Sequence, residues 1–456
     1  MRKYYWYFTA YLKKHGWLFI LSLLIAIAIF SLLVPVITSR VSFKKRIYQG
    51  IIGEYNLDKL PPEISNLLSV GLTKVEADGS ISPLVAERFV IEDEGKTYRF
   101  LIKKNLKWQD GKNFEPEDVS YQLQDTQTLY TKNEVLFKLP AAFAPFPSVV
   151  NQPLFRYVDK IPIGLGEYRV TSYQIKNNHL TQIVLTGNKE IKIFRFFFSE
   201  NDAILAFKHG HIDLLEAASS AYDFDRWSNV NLTANNNFNE YLAVFFDNNK
   251  VFFPKNVRQA LSYAIPKADS NRAISPIHPQ SWAYLAAGKH YDFDLERAVE
   301  RLTDEIPGQE ISFTLTTTNL FAAKAEAIKK SWEELGEKAF VKCSSDKKAD
   351  HKLCPNLKIK VDLRVSNFPD LSNFDALLIG QSINLDPDQY ALWHSGQAGN
   401  FINYKNTRID SLLEKGRQSI DLNERKVIYQ EFQQFFLEDC PIVLLEYLTD
   451  YRVERK

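Results

Sequence analysis

The sequence predicts an α/β protein, and three observations carry that expectation. Across residues 82–123 a strand, a turn, a second strand, another turn and the start of a helix follow one another. From Ile311 onward a strand, a helix and a further strand repeat, the order of an α/β layer. Ahead of both, residues 17–38 form an uncharged apolar run, long enough to meet the roughly 20 residues that cross a bilayer. At 456 residues the chain accommodates two or three domains. A net charge of +1 supplies no basic excess for a nucleic-acid partner, so that class is set aside.

The amino terminus comes first in order. Tyr4, Tyr5, Trp6, Tyr7, Phe8 and Tyr11 resemble an interfacial aromatic belt, with Lys13 and Lys14 at the start of the apolar run. A cleaved signal peptide is one reading, but the run is long and no clear small-x-small site follows it. A lipoprotein signal needs a cysteine just after the run, and the first cysteine is Cys343. The preferred reading is an uncleaved single-span anchor over 17–38, with 1–16 as a cytoplasmic segment. Charge alone does not orient it, because Arg2, Lys3, Lys13 and Lys14 oppose Arg40, Lys44, Lys45 and Arg46.

The soluble part begins at Phe43 with a strand, a polar loop and a helix reaching Leu72. Phe89 and Ile91 lead into the turn 92–96. Tyr98, Phe100 and Ile102 then alternate with Arg99, Leu101 and Lys103, the period of a strand with one buried face. Asp110-Gly111 is a tight corner, and Pro116 suits the first position of a helix with Glu117 and Asp118 at its positive end. Residues 130–160 are apolar and proline-rich, and 161–168 read as the turn into a central strand. Residues 191–198 are a buried-strand candidate, and 201–213 a helix and a turn. Residues 241–248 are the next strand, and a helix begins near Lys255. Ile311, Phe313 and Leu315 mark a strand, and 322–336 a helix capped by Gly336. Residues 374–380 are a strand, a long amphipathic helix starts near Glu424, and 442–445 return as a strand. Of three cysteines, Cys343 and Cys354 bracket a polar loop. Outside the cell they are placed for one local disulfide, and otherwise they are two free thiols.

Several ordered motifs resemble one family, the extracytoplasmic solute-binding proteins of peptide/nickel ABC importers, family 5. Leu84, Ala86, Glu87, Gly95, Thr97, Tyr98, Phe100, Leu101, Trp108, Asp110, Gly111, Phe114, Glu117, Asp118 and Val119 match its first signature. Asp58, Gly71 and Leu72 match its opening segment. Pro162, Gly164, Gly166 and Tyr168 match its glycine-rich turn, with Leu165 and Glu167 departing from it. Val257, Arg258, Gln259, Ala260, Leu261, Tyr263, Ala264 and Ile265 match its "VRQAL-x-YAI" block. Gly399, Asn400, Tyr404, Asn406 and Asp410, then Arg425, Tyr429, Glu438, Asp439 and Pro441, match its last blocks.

The resemblance implies a two-lobed α/β, periplasmic-binding-protein-like fold (type II, cluster C-like) preceded by one transmembrane helix. Lobe I would span 43–254, with 441–456 returning to it, and lobe II 255–440. It also implies a membrane-tethered, extracytoplasmic binding protein, its amino end inside the cell. Such a protein captures a solute, a peptide by default, between the lobes and presents it to an ABC permease. Nickel chelates and small sugars stay open as ligands. A tethered sensor or peptide chaperone without transport is the alternative.

Ligand residues follow from the same resemblance. Glu54, Tyr55 and Asn56 fall where the first lobe faces ligand, or else form a surface loop. Trp282 follows a proline-rich loop (274–279) near the cleft. In the loop after strand 374–380, peptide-binding members carry a tryptophan and a carboxylate that holds a ligand ammonium, since a desolvated cation needs a paired anion. Gln381 and Asn384 stand at these positions, and Asn384 carries no charge. Asp386 substitutes if the loop shifts; otherwise Asp386 and Asp388 only shape the turn. Trp393, with His394, and Asn400 are placed to reach the cleft. His209 and His211 invite a metal reading, but no carboxylate or cysteine cluster lies near them in sequence, and neither metal nor cofactor is expected. No G-x-S-x-G, P-loop, H-E-x-x-H or C-x-x-C is present, so no enzyme is expected.

Overall fold

A computed structural model describes residues 2–40, 44–304 and 306–456. Phe43, the expected start of the soluble part, lies outside the described residues. The helix Arg2–Arg40 is interrupted at His15 (φ −127°, ψ 16°). Its stretch Lys13–Ser31 is long and apolar enough to cross a membrane, with mean hydropathy 1.8, and among the described residues none of that window is buried.

One ten-stranded sheet runs through the rest of the molecule. Two long strands at its centre, Val230–Phe246 and Ile442–Arg455, pair antiparallel along most of their length. Their outer ends join different partners. Near its carboxyl end the second pairs with Leu214–Ala218, which neighbours Lys45–Ile52. The other end of the first pairs with Ala376–Ser382, followed by Ile311–Thr317 and Ile359–Val365. The sheet therefore has two halves, continuous only through these two strands. Where the halves meet, Asn237 faces Leu448 and the next pair is Tyr241 with Tyr447, so Phe238, Asn239 and Glu240 bulge without partners on the other long strand. Bulges bend a strand and break its ladder locally.

The period of two decides how the second half packs. Leu242, Val244 and Phe246 face the helices Lys255–Tyr263, Leu295–Asp304 and Ala322–Ser345. Tyr241, Ala243 and Phe245 face Thr407–Gln418 and Leu422–Asp439 on the opposite side. In the first half, Glu200–Lys208 covers one face and Pro62–Leu68 the other. A separate four-stranded antiparallel sheet, Ala86–Glu92, Thr97–Ile102, Glu134–Lys138 and Gln127–Tyr130, has its own core around Tyr98, Phe100, Phe137 and Phe146.

The motif residues tie elements together. Trp108 Nε1 donates to Asp118 (2.9 Å), closing the first signature on itself. Buried Arg258 donates to the carbonyls of Phe253, Asp439 and Cys440, and Gln259 to that of Glu438. The "VRQAL" block thus satisfies the orphan carbonyls at the end of Leu422–Asp439, groups a helix cannot bond for itself. Cys343 and Cys354 are bonded, with Cα atoms 5.6 Å apart, and Cys440 is a buried free thiol.

Four expectations change. The helix expected at Pro116 is one 3₁₀ turn, Pro116–Asp118. Val119 is already extended (ψ 99°), and the Tyr121 hydroxyl is tied to the carbonyls of Val150 and Gln152. The strand entered after 161–168, Arg169–Lys176, lies at the sheet edge rather than its centre, with one face mostly solvated. The strand expected at 241–248 begins at Val230. Gly336 does not end its helix, which runs to Ser345; a Cβ there would stand 2.5 Å from the Ile359 amide nitrogen, so the glycine serves close packing.

Candidate ligand site

In α/β sheets, ligand crevices form beyond the carboxyl ends of strands, and here several ends converge on the junction between halves. Ser382 pairs with Glu240 at the edge of the bulge, so the loop 383–390 leaves the sheet there. On the other side Gly50 stands beside Leu215, which pairs with Val453, while residues 53–56 turn to the outer strands, where Gly53 N–H donates to the Phe197 carbonyl and Leu180 N–H to that of Tyr55. The small sheet domain reaches across. Its Gly79 turn sits against the Leu385 carbonyl and the Trp282 ring, and Ala144 N–H donates to the Arg417 carbonyl (2.6 Å).

The loop aspartates are not free. Asp386 accepts the Asp388 N–H (3.0 Å) and lies 3.5 Å from the guanidinium of buried Arg425. Burial lifts its pKa, although Arg425 pulls it down. Arg425 also donates to the Gly416 carbonyl (2.9 Å) and stands 5.2 Å from the centre of the Trp282 ring. Asp388 takes the Arg417 guanidinium at 2.9 Å and accepts the Tyr390 N–H. Both carboxylates therefore fasten the loop to the helices behind it. Asn384, between them and the sheet, is exposed.

The other expected site residues separate. Trp282 is half-buried against Tyr429 (6.3 Å between ring centroids). Trp393 is 2 % exposed, packs on Phe436 and donates its indole N–H to Gln389 (3.0 Å), which places it in the core and not at the crevice. Asn400 is buried too; its amide staples the Tyr404 backbone at both N–H and carbonyl. Glu54 is exposed and 3.6 Å from His179. The Tyr55 ring rests 5.6 Å from Phe196, and Asn56 accepts the Lys59 N–H. His209 and His211 are exposed, and among the described residues no group of three or more potential ligands could hold a metal ion.

Two cavities lie along this boundary. One of about 650 Å³ separates the small sheet domain (Leu139, Pro140, Phe143, Phe146) from Tyr390 and Arg417. The other, about 390 Å³, opens at the bulge and is lined by Asn235, Asn236, Asn237, Phe238, Asn239, His278, Gln280, Leu385 and Asp450. Their linings include none of the nine expected ligand residues. The signal that points to the second cavity is the run Asn-Asn-Asn-Phe-Asn-Glu at 235–240, polar residues where a strand should be apolar. Glu240 lies over Gly380, where no side chain competes. Burial raises its pKa and the nearby Asp450 charge adds to this.

Comparison with known proteins agrees with this geometry. The chain matches the profile of bacterial extracellular solute-binding proteins, family 5 Middle, over residues 80–134 and 126–402. It is 23 % identical to the oligopeptide-binding protein AppA of Bacillus subtilis, over 88 % of this chain and 86 % of that one. It is 21 % identical to the dipeptide-binding protein of Escherichia coli, over 82 % of each. Among solved structures it resembles the ABC transporter substrate-binding protein CtaP of Listeria monocytogenes (TM-score 0.72, 20 % identity, 90 % and 94 % covered). It also resembles NikZ of Campylobacter jejuni in complex with Ni(L-His) (TM-score 0.69, 21 % identity, 91 % and 94 % covered). These likenesses show one shared fold, α/β and two-lobed.

Proposed function

Since the chain belongs to family 5 of the bacterial extracellular solute-binding proteins, we propose that the solute it captures is a peptide. The peptide is held between the halves at the two-strand junction and handed to an ABC importer. The observation that carries this is the junction itself: the two halves of the sheet are continuous only through two bulged strands, and the loop 383–390 leaves the sheet there. Such a connection lets the halves close on a ligand, which stabilises the closed state through contacts the open state lacks. Relatives named for oligopeptides, dipeptides and tripeptides supply the ligand class.

Lobe I takes the sheet up to the bulge together with the small sheet domain, and lobe II takes the rest. The helix through Lys13–Ser31 serves as an uncleaved anchor, with the lobes outside the cell. The Cys343–Cys354 bond suits that oxidising side.

The test is native mass spectrometry of the full chain purified gently from its own host, followed by denaturation to release small molecules. Released peptides of defined length support the reading, and a released non-peptide solute overturns it. The intact mass decides the anchor: a chain lacking its first 38 or so residues was cleaved as a signal peptide, because the retained span is what an anchor requires.

A further inference from the structure

We propose that the edge of the first half at which the chain arrives from the membrane helix rests on anionic lipid headgroups, so that the crevice faces away from the bilayer. This rests on the anchor reading above.

Strand direction places this edge. Leu214 pairs with Glu454 and Ala218 with Tyr451, so Leu214–Ala218 runs toward the junction, and Lys45–Ile52 and Glu190–Phe197 run parallel to it. Their amino ends therefore lie on the side opposite the crevice. The chain reaches that side directly from the membrane. The helix ends at Arg40 and the strand begins at Lys45, a separation that the backbone spans in at most about 18 Å. Lys44 donates to the Gly187 carbonyl (2.6 Å), which ties the arriving chain to the turn 187–189. Covalent connection thus keeps this edge near the headgroups, and weak contacts are enough to seat it.

Charge on the edge is one-sided. Lys45, Arg46, Arg169, Lys189 and Arg226 are exposed, and among the described residues none of them makes an ion pair. Arg169 starts the outermost strand, opposite Thr186, and Arg226 leads into Val230, where the first long strand begins. Most acidic side chains beside them are compensated from within: Glu190 by Lys192, Asp213 by Arg455, Asp223 by Lys208 and Glu454 by Arg452. Among the described residues, Glu167 and Asp225 are the acids on this edge left without a cation. The whole chain carries a net charge of only +1, so the excess of free cations is local to this edge. A basic cluster beside a membrane span is drawn to anionic headgroups over a Debye length. The resulting pose leaves the crevice open to solution for capture. Handing the ligand to a permease then requires the edge to lift, which screened contacts between charges allow.

The experiment is amine footprinting of the full chain in lipid nanodiscs. Acetylation rates of Lys45 and Lys189 are read by mass spectrometry, with exposed Lys347, at the far end of the second half, as internal reference. Discs of phosphatidylcholine are compared with discs holding about 30 % phosphatidylglycerol, whose headgroup is anionic and carries no amine. In the anionic discs Lys45 and Lys189 are expected to react about threefold more slowly, and Lys347 at an unchanged rate. The slowing should vanish at about 1 M salt, where the screening length is about 3 Å. It should vanish also in Arg46→Glu/Arg226→Glu, which leaves both reporter lysines in place. Equal rates in the two lipids, with the helix retained, overturn the inference and leave the anchor standing. Slowing that includes Lys347, or that survives in the variant, assigns the contact elsewhere and also overturns it. A mature chain whose intact mass lacks the helix refutes the anchor reading and the inference together. Should the variant not fold, the salt dependence of the wild type decides.

Discussion

Asp386→Asn separates two roles that look alike in sequence, ligand carboxylate and scaffold carboxylate. Two unit charges 3.5 Å apart attract by about 5 kcal/mol at an effective dielectric near 20. Part of that offsets the desolvation of two groups that are both nearly buried, which is why burial still lifts the Asp386 pKa. The asparagine keeps an acceptor for the Asp388 N–H (3.0 Å), and Arg425 keeps the Gly416 carbonyl (2.9 Å). What remains is a buried guanidinium without its counterion. We expect a loss of about 3 kcal/mol, the lower end for breaking a buried pair. For a lobe-sized unit that lowers the melting temperature by roughly 6–12 °C. Thermal melting of the full chain measures this, and a peptide-digest titration well below the transition measures binding. The expected result is a lower melting temperature with an unchanged titration midpoint. The double variant Asp386→Asn/Arg425→Met, which removes both charges, should recover to within about 1 kcal/mol of wild type. Unchanged melting with lost binding would refute the scaffold role and make Asp386 the ligand's partner.

Three further outcomes follow from the packing. Glu240 has a raised folded pKa, so its charged form destabilises the fold above that pKa, and the penalty disappears as pH falls through it toward the ordinary 4.5. Glu240→Gln should therefore melt above wild type at about pH 8, with the difference closing on acidification; a difference that grows at low pH contradicts the assignment. The Cys343–Cys354 bond closes a sequence separation of 11, worth about 3 kcal/mol by loop entropy. A reductant should lower the melting temperature of wild type and leave the Cys343→Ser/Cys354→Ser protein unaffected. Gly336→Ala places a Cβ 2.5 Å from the Ile359 nitrogen, and the overpacking of about 1–3 kcal/mol should exceed the helix gain of about 1 kcal/mol. Wild-type melting would put Gly336 outside that contact.

Short strands were legible because their period of two is local: Tyr98, Phe100 and Ile102 are all buried as expected. The long strand Val230–Phe246 is half-hidden in the sequence, because residues 233–236 are exposed on both faces and the asparagine run removes the alternation. Gly336 was misread for the opposite reason. A glycine near the end of an apolar pattern is a good stop signal, and only the approach of strand Ile359–Val365 shows that this one is a contact. At the site, Trp393 and Asn400 belong to motif blocks that build the second half's core, where a tryptophan and a doubly bonded amide are structural. Asp386 and Asp388 stayed ambiguous because their arginines lie 39 and 29 residues downstream, a pairing that only the fold creates.

The same pairing fixes one wall of the crevice. The loop 383–390 is held at both aspartates by helices of its own half, and the Gly79 turn of the opposite side rests on it. A loop fixed in this way defines the crevice wall whatever residue occupies position 384. Beside the bulge the first long strand leaves its ladder with the second at Phe238, Asn239 and Glu240, and Asn237, Phe238 and Asn239 line a cavity there instead of a core. A ligand bound at that point touches both halves through the strands that connect them. Its binding energy then acts directly on the bend, and closure needs no longer path between ligand and hinge.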